Sequence, residues 1–79
     1  MNITIGANIK RLRQSKNITQ EKLADNIGIS PPAVSKWERG ETLPDITLVP
    51  VLAHYFGVTC DELLGFSAAQ VEIEIQGRM

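Results

Sequence analysis

The sequence predicts an all-α domain of five short helices around one core, followed by a short extended tail with a β pattern. Three observations carry that expectation. Apolar residues recur at three- and four-residue spacing in successive segments. Each segment opens on Thr, Ser or Asp and closes on Asn or Gly, the residues that start and stop helices. Only in Val71-Glu72-Ile73-Glu74-Ile75 does the period drop to two.

In the first helix, Thr4 is the cap and Ile5, Ile9 and Leu12 form one stripe, with Lys10 and Arg11 pointing away. Asn17 stands at its stop, because Asn tolerates the left-handed conformation found there. Thr19 caps the second helix, Glu21 lies in its first turn, and Leu23, Ala24 and Ile27 form its apolar face. Gly28 breaks it after about two turns, so it needs packing to persist. Ser30-Pro31-Pro32 opens the third helix. Serine caps it, and proline at the first helical position loses only an N–H that had no partner. Gly40 ends it. After a loop to Pro44, Asp45 caps a fourth helix running to about Phe56. Pro50 one turn in predicts a tightened or irregular first turn. Gly57 stops it. Thr59-Cys60-Asp61-Glu62 matches a capping box flanked by Val58 and Leu63 at the staple positions, and Gly65 ends this fifth helix.

Seventy-nine residues make one small domain, here taken as residues 1–66 with a tail at 67–79. The hydrophobic share of 43% is that of a globular chain. No run approaches the roughly 18 apolar residues a membrane helix needs, so no membrane association is expected. No signal peptide is visible, and a lone Cys60 excludes an internal disulfide framework and a cysteine-based zinc site. The expected location is the cytoplasm. So short a chain has little room for a deep catalytic pocket.

The net charge of −1 argues against a nucleic-acid partner until it is divided. Residues 1–40 carry seven Lys and Arg against three acids, a net +4. Residues 41–79 carry Arg78 against six acids, a net −5. Such asymmetry hints at a charged partner for one half.

Helices two and three, joined by the tight Gly28-Ile29 turn, have the ingredients of a helix-turn-helix at about residues 19–39. On a helical wheel, Val34, Trp37 and Glu38 share one side of helix three, and Pro32, Ser35, Lys36 and Arg39 the other. That outer face suits a DNA groove. Lys36 and Arg39 pair with phosphates or guanine edges, Ser35 donates or accepts, and prolines touch thymine methyls. A plain amphipathic surface helix would show the same division.

The segments Ile9-Lys10-Arg11-Leu12-Arg13, Thr19-Gln20-Glu21-Lys22-Leu23-Ala24, Gly28-Ile29-Ser30 and Val34-Ser35-Lys36-Trp37-Glu38-Arg39-Gly40 resemble the phage repressor/Cro-like (XRE) helix-turn-helix family. Pro44-Asp45 and Gly57-Val58-Thr59-Cys60-Asp61-Glu62-Leu63-Leu64 continue the match, which covers about residues 5–65. The resemblance implies five helices and a transcription regulator, usually dimeric, that reads a palindromic operator in double-stranded DNA. It implies that Thr19 and Gln20 meet the DNA backbone, where helix N-terminal amides and a Gln side chain suit phosphate oxygens. It implies base reading by Pro31, Pro32, Ser35 and Lys36, and backbone contact by Arg39, Gly40 and Thr42. Arg13 and Glu38 match a structural ion pair between helices one and three.

Two departures stand out. Family members often carry Gln, Arg or Ser where this chain has Pro31 and Pro32, and proline makes no bidentate hydrogen bond to a base. Direct readout then rests on Ser35 and Lys36, with apolar contact and DNA shape supplying the rest. The expected specificity is modest. Pro50 replaces a helix-friendly residue and bears on helix four alone.

Trp37, three residues after Val34, belongs to the core. His54 and Cys60 lack an orienting third group, so no enzyme activity, no cofactor and no metal are expected. Val51 and Tyr55 lie off the stripe of Val49, Leu52 and Phe56. Either helix four is central and buried on several sides, or Val51 and Tyr55 meet a second subunit. Val71, Ile73 and Ile75 would line one face of a strand that cannot stand alone. Pairing with the same strand of a second subunit ranks first, ahead of a larger domain or a disordered tail. The overall expectation is a homodimeric transcription regulator, more often a repressor. The alternatives are an antitoxin-type autoregulator with a toxin bound through the acidic half or the tail, and a protein-interaction module without DNA binding.

Overall fold

Five α-helices follow one another with short connections in the computed structural model, which describes residues 5–65. They are α1 (Ile5–Ser15), α2 (Gln20–Ile27), α3 (Pro31–Glu38), α4 (Val49–Phe56) and α5 (Cys60–Leu64). A single 3-10 turn, Ile46–Leu48, leads into α4. The all-α, five-helix expectation holds among these residues. Thr4, Val71, Ile73 and Ile75 lie outside them, as does the whole tail.

The caps are those the sequence announces. The hydroxyls of Thr19, Ser30 and Thr59 accept from the backbone N–H groups of Lys22, Ala33 and Glu62 at 3.0, 3.3 and 3.0 Å. Asn17 has φ 57°, the left-handed value that ends α1. At the end of α3, Gly40 at φ 76° lets two bonds close the helix. Its N–H donates to the Trp37 carbonyl at 3.0 Å, and the Glu41 N–H to the Lys36 carbonyl at 2.9 Å. This pair of bonds is the Schellman arrangement.

One expectation is refined. Asp45 caps the 3-10 turn rather than α4 itself, and α4 begins only at Val49. Pro50 falls at the second position of α4, where its missing N–H leaves no broken bond. The irregular first turn expected from Pro50 is that 3-10 segment. The Asp45 carboxylate accepts from the Thr47 hydroxyl at 2.7 Å and the Thr47 N–H at 2.9 Å, and these bonds hold it below its ordinary range.

One core joins all five helices. Ile5 and Ile9 of α1, Leu23 and Ala24 of α2, Val34 and Trp37 of α3, Val49, Leu52, Ala53 and Phe56 of α4 and Leu63 of α5 are buried together. Leu12 and Val58 pack against this cluster. Helix α3 lies against α1 and α2, and α5 against α4 and α1. The contact between α1 and α3 is close because of Gly6, where a Cβ would come within 2.0 Å of the Trp37 carbonyl oxygen. Asn8 Nδ2 donates to the Leu63 carbonyl at 3.0 Å, which ties α1 to the end of α5 and gives a helix-terminal carbonyl a partner. No described helix is long and apolar enough to cross a membrane.

Candidate nucleic-acid interface

The tight turn between α2 and α3 sets the geometry of the site. Gly28 at φ 76° ends α2, the Ile29 N–H returns to the Ala24 carbonyl at 2.9 Å, and Ser30 starts α3 two residues later. Val34 and Trp37 then fix the inner face of α3 in the core. The helix therefore presents Pro31, Pro32 and Lys36 to solvent, with Ser35 half-buried at its flank. Thr19, Gln20, Pro31, Pro32 and Ser35 line a single shallow cleft between the start of α2 and the start of α3. Residues assigned separately to backbone and base contact are thus neighbours. Arg39, Gly40 and Thr42 are exposed beyond the other end of α3.

Beneath this surface lies a polar cluster centred on Glu38. Arg13 Nε donates to Glu38 Oε2 at 2.7 Å and Arg13 Nη2 to Oε1 at 3.0 Å, a two-pronged pair. The side chains are nearly enclosed, at 12% and 3% accessibility. Arg13 Nη1 donates further to the Ile18 carbonyl at 2.8 Å, which clamps the loop between α1 and α2. Gln20 Nε2 donates to Glu38 Oε1 at 3.1 Å. One carboxylate thus collects α1, the following loop, the start of α2 and the last turn of α3. Burial alone would raise the Glu38 pKa. The hydrogen bonds from Arg13 and Gln20, with the charges of Arg13 and Lys10, outweigh it and leave the group below its ordinary value. The same contact raises Arg13.

Three side-chain contacts at this surface go beyond the sequence reading. Gln20, assigned only to the DNA backbone, has its amide nitrogen engaged by Glu38, and no local spacing rule connects residues 20 and 38. Arg39 Nη1 donates to Ser35 Oγ at 2.7 Å, and Arg39 Nε donates to the Glu41 carboxylate. The first of these is an i, i+4 helical pair that the spacing could have flagged. Because Ser35 Oγ accepts from Arg39, its own hydrogen is left to donate.

Tyr55 is tied within its own chain. Its hydroxyl accepts from Asn26 Nδ2 at 2.8 Å, its ring meets Phe56 edge-on at 5.2 Å, and Lys16 Nζ lies 5.7 Å from the ring centre. Val51, by contrast, is 44% exposed. Helix α4 is central in the sense that four of its eight residues are buried. His54 and Cys60 are both exposed. Among the described residues no group of three or more His, Cys, Asp or Glu side chains could hold a metal.

The helix-turn-helix family model HTH_3 matches residues 9–63. The chain belongs to the phage repressor/Cro-like (XRE) helix-turn-helix family. This is a family of DNA-binding transcription regulators, not a class of enzymes. Over 56 residues the chain is 43% identical to the HTH-type transcriptional activator BcrR of Enterococcus faecalis, a stretch covering 71% of this chain and 28% of BcrR. It is 33% identical over 61 residues to antitoxin PezA of Streptococcus pneumoniae serotype 4, covering 77% of this chain and 39% of PezA. The P22 c2 repressor, solved in complex with synthetic operator 9T in the presence of Tl+, superposes with a TM-score of 0.74 at 32% identity. That match covers 80% of this chain and 96% of the repressor chain. The chain spans well under two thirds of both curated relatives, at 28% and 39% of their lengths.

Proposed function

We propose that the chain is a cytoplasmic, homodimeric transcription regulator, more often a repressor, that binds a palindromic operator with α3 in the major groove. The observation that carries this reading is the shared cleft of α2 and α3. Around it Thr19 and Gln20 would meet the sugar-phosphate backbone while Pro31, Pro32, Ser35 and Lys36 face the bases. Arg39, Gly40 and Thr42 would continue the backbone contact. The pair of Arg13 and Glu38 would hold α3 against α1 at the angle this requires. The P22 c2 repressor, with its synthetic operator, supports duplex DNA as the partner. Half-sites should lie one helical turn apart, on the order of 34–36 Å. Leu43, Ile46 and Val51 are the exposed large hydrophobics among the described residues, at 66, 78 and 44%, and their exposure supports contact with a second subunit. With Tyr55 already hydrogen-bonded to Asn26, Val51 is the stronger of the two α4 candidates. The tail residues Val71, Ile73 and Ile75, outside the described residues, would pair with the same strand of the second subunit.

The test is Lys36→Ala combined with Arg39→Ala. Native protein should bind duplex DNA with a steep salt dependence, and each phosphate neutralised contributes a slope of about 0.9. The double variant should lose at least about tenfold in affinity and flatten that slope by about one or more, with its helical signal unchanged. Failure of native protein to bind any duplex at low salt would leave the interaction-module reading in place. Similarity to antitoxin PezA supports the autoregulator alternative, and co-purification of a small basic protein on the acidic half would establish it.

A second expectation concerns readout. In operator competition at fixed salt, base changes under Lys36 should cost about 1–3 kcal/mol each, the usual range for a good direct contact. Changes under Pro31 and Pro32 should cost less, since a proline ring offers only apolar contact. Equal costs at both places would show that the prolines read sequence as strongly as the lysine.

A further inference from the structure

The two cations on the outer face of α3 are not equivalent. Lys36 is exposed. Arg39 is held on two sides, by Ser35 Oγ at 2.7 Å and by the carboxylate of Glu41. Glu41 is not there by chance of a wandering surface chain. Its backbone N–H closes the end of α3 on the Lys36 carbonyl, and Gly40 at φ 76° makes the turn that brings it back. The stem of the Glu41 side chain is therefore anchored beside the guanidinium. The Arg39 Nε–H that donates here to a Glu41 carboxylate oxygen is one that would donate to a phosphate oxygen.

We propose that Glu41 is a built-in counter-anion for Arg39, occupying the place a DNA phosphate would take and so holding down affinity for duplexes of any sequence. The inference rests on the reading that this face meets DNA. Both side chains remain more than half accessible, at 58% for Arg39 and 51% for Glu41. Exposed ion pairs of this kind are weak, so a phosphate placed well by the rest of the interface can displace the carboxylate. A phosphate met at random must first compete with it. Arg39 then adds little to loose encounters, which matters because sequence-independent binding is almost entirely electrostatic.

The experiment measures binding of a random-sequence duplex across a salt series for four proteins: native, Glu41→Gln, Arg39→Ala and the double variant. Glu41→Gln keeps the backbone bond that ends α3, and its thermal unfolding should match native. Its affinity should rise roughly twofold to fivefold at about 0.1 M salt, the range an exposed ion pair can withhold, and its slope should steepen by about 0.9, the value of one more phosphate contact. Arg39→Ala should cost about twofold or less in the native background and should abolish most of the gain in the Glu41→Gln background. An unchanged affinity in Glu41→Gln overturns the proposal. So does an equal gain with and without Arg39, which would mean that removing any negative charge has the same effect. If none of the four proteins binds duplex DNA at low salt, the DNA-binding reading itself has failed and this proposal falls with it.

Discussion

Gly6→Ala is expected to destabilise the protein by about 3 kcal/mol. Helix propensity alone predicts the opposite, since alanine is favoured over glycine in a helix interior by about 1 kcal/mol. The packing decides the sign. A Cβ at residue 6 would lie 2.0 Å from the Trp37 carbonyl oxygen and 3.0 Å from its carbonyl carbon, both backbone atoms that cannot swing aside. To accept the methyl group, α1 must move off α3, and Ile5, Ile9 and Trp37 lose contacts as it does. Overpacking of this kind costs roughly 1–3 kcal/mol, and a backbone obstacle belongs at the upper end. A domain with about sixty ordered residues has on the order of 3–9 kcal/mol to lose. Urea unfolding followed by circular dichroism checks this: the midpoint should fall sharply, and a midpoint at or above native would show that the helices separate without cost.

Glu38→Ala should be comparably damaging. It strips Arg13 of both carboxylate contacts in a place where the arginine side chain is only 12% accessible, and it removes the partner of Gln20. Deleting one member of a buried pair costs about 3–5 kcal/mol, because the remaining charge is stranded. Since Arg13 keeps its bond to the Ile18 carbonyl, about 3 kcal/mol is expected here. Replacing both partners, Arg13→Met with Glu38→Leu, should recover much of that loss, which a double-mutant cycle would show as strong non-additivity. The same pair makes stability depend on pH. The folded-state pKa of Glu38 lies below its ordinary value of 4.5, so its contribution is present in full above that value. The contribution fades as pH falls below 4.5 through the folded-state pKa. In Glu38→Gln the acid-side loss of stability should be smaller than in native protein. An identical acid limb would show that other carboxylates set it.

What the sequence disclosed and what it withheld divide along physical lines. Thr19, Ser30, Thr59, Asn17 and Gly40 declared the helix ends because capping is a local event, decided within three or four residues. Ile5, Ile9, Leu23, Val34, Trp37 and Leu52 declared the core by period alone. The bond from Gln20 to Glu38 crosses eighteen residues and depends on the angle between α2 and α3, which no periodicity encodes. Gly6 is the instructive miss. An isolated glycine inside a helical pattern is itself a sign of close approach, yet its partner is the backbone of Trp37, which carries no residue-specific signal. From sequence Asp45 is equally a cap for α4, because local chemistry cannot tell a 3-10 turn from the first turn of an α-helix. The outer face of α3 was legible as an inventory of side chains. The link from Arg39 to Glu41 was not, because Glu41 comes back only through the turn at Gly40.

The hydrogen bond from Asn8 to the Leu63 carbonyl places the start and the finish of the described domain side by side. The five residues of α5 could not hold a helix by themselves, so that helix is in effect a clasp fastened onto α1. The carbonyl end of α5 therefore sits against the first turn of α1. Loosening that clasp would bear on the helix that carries Gly6 and Arg13, the two residues through which α1 meets α3.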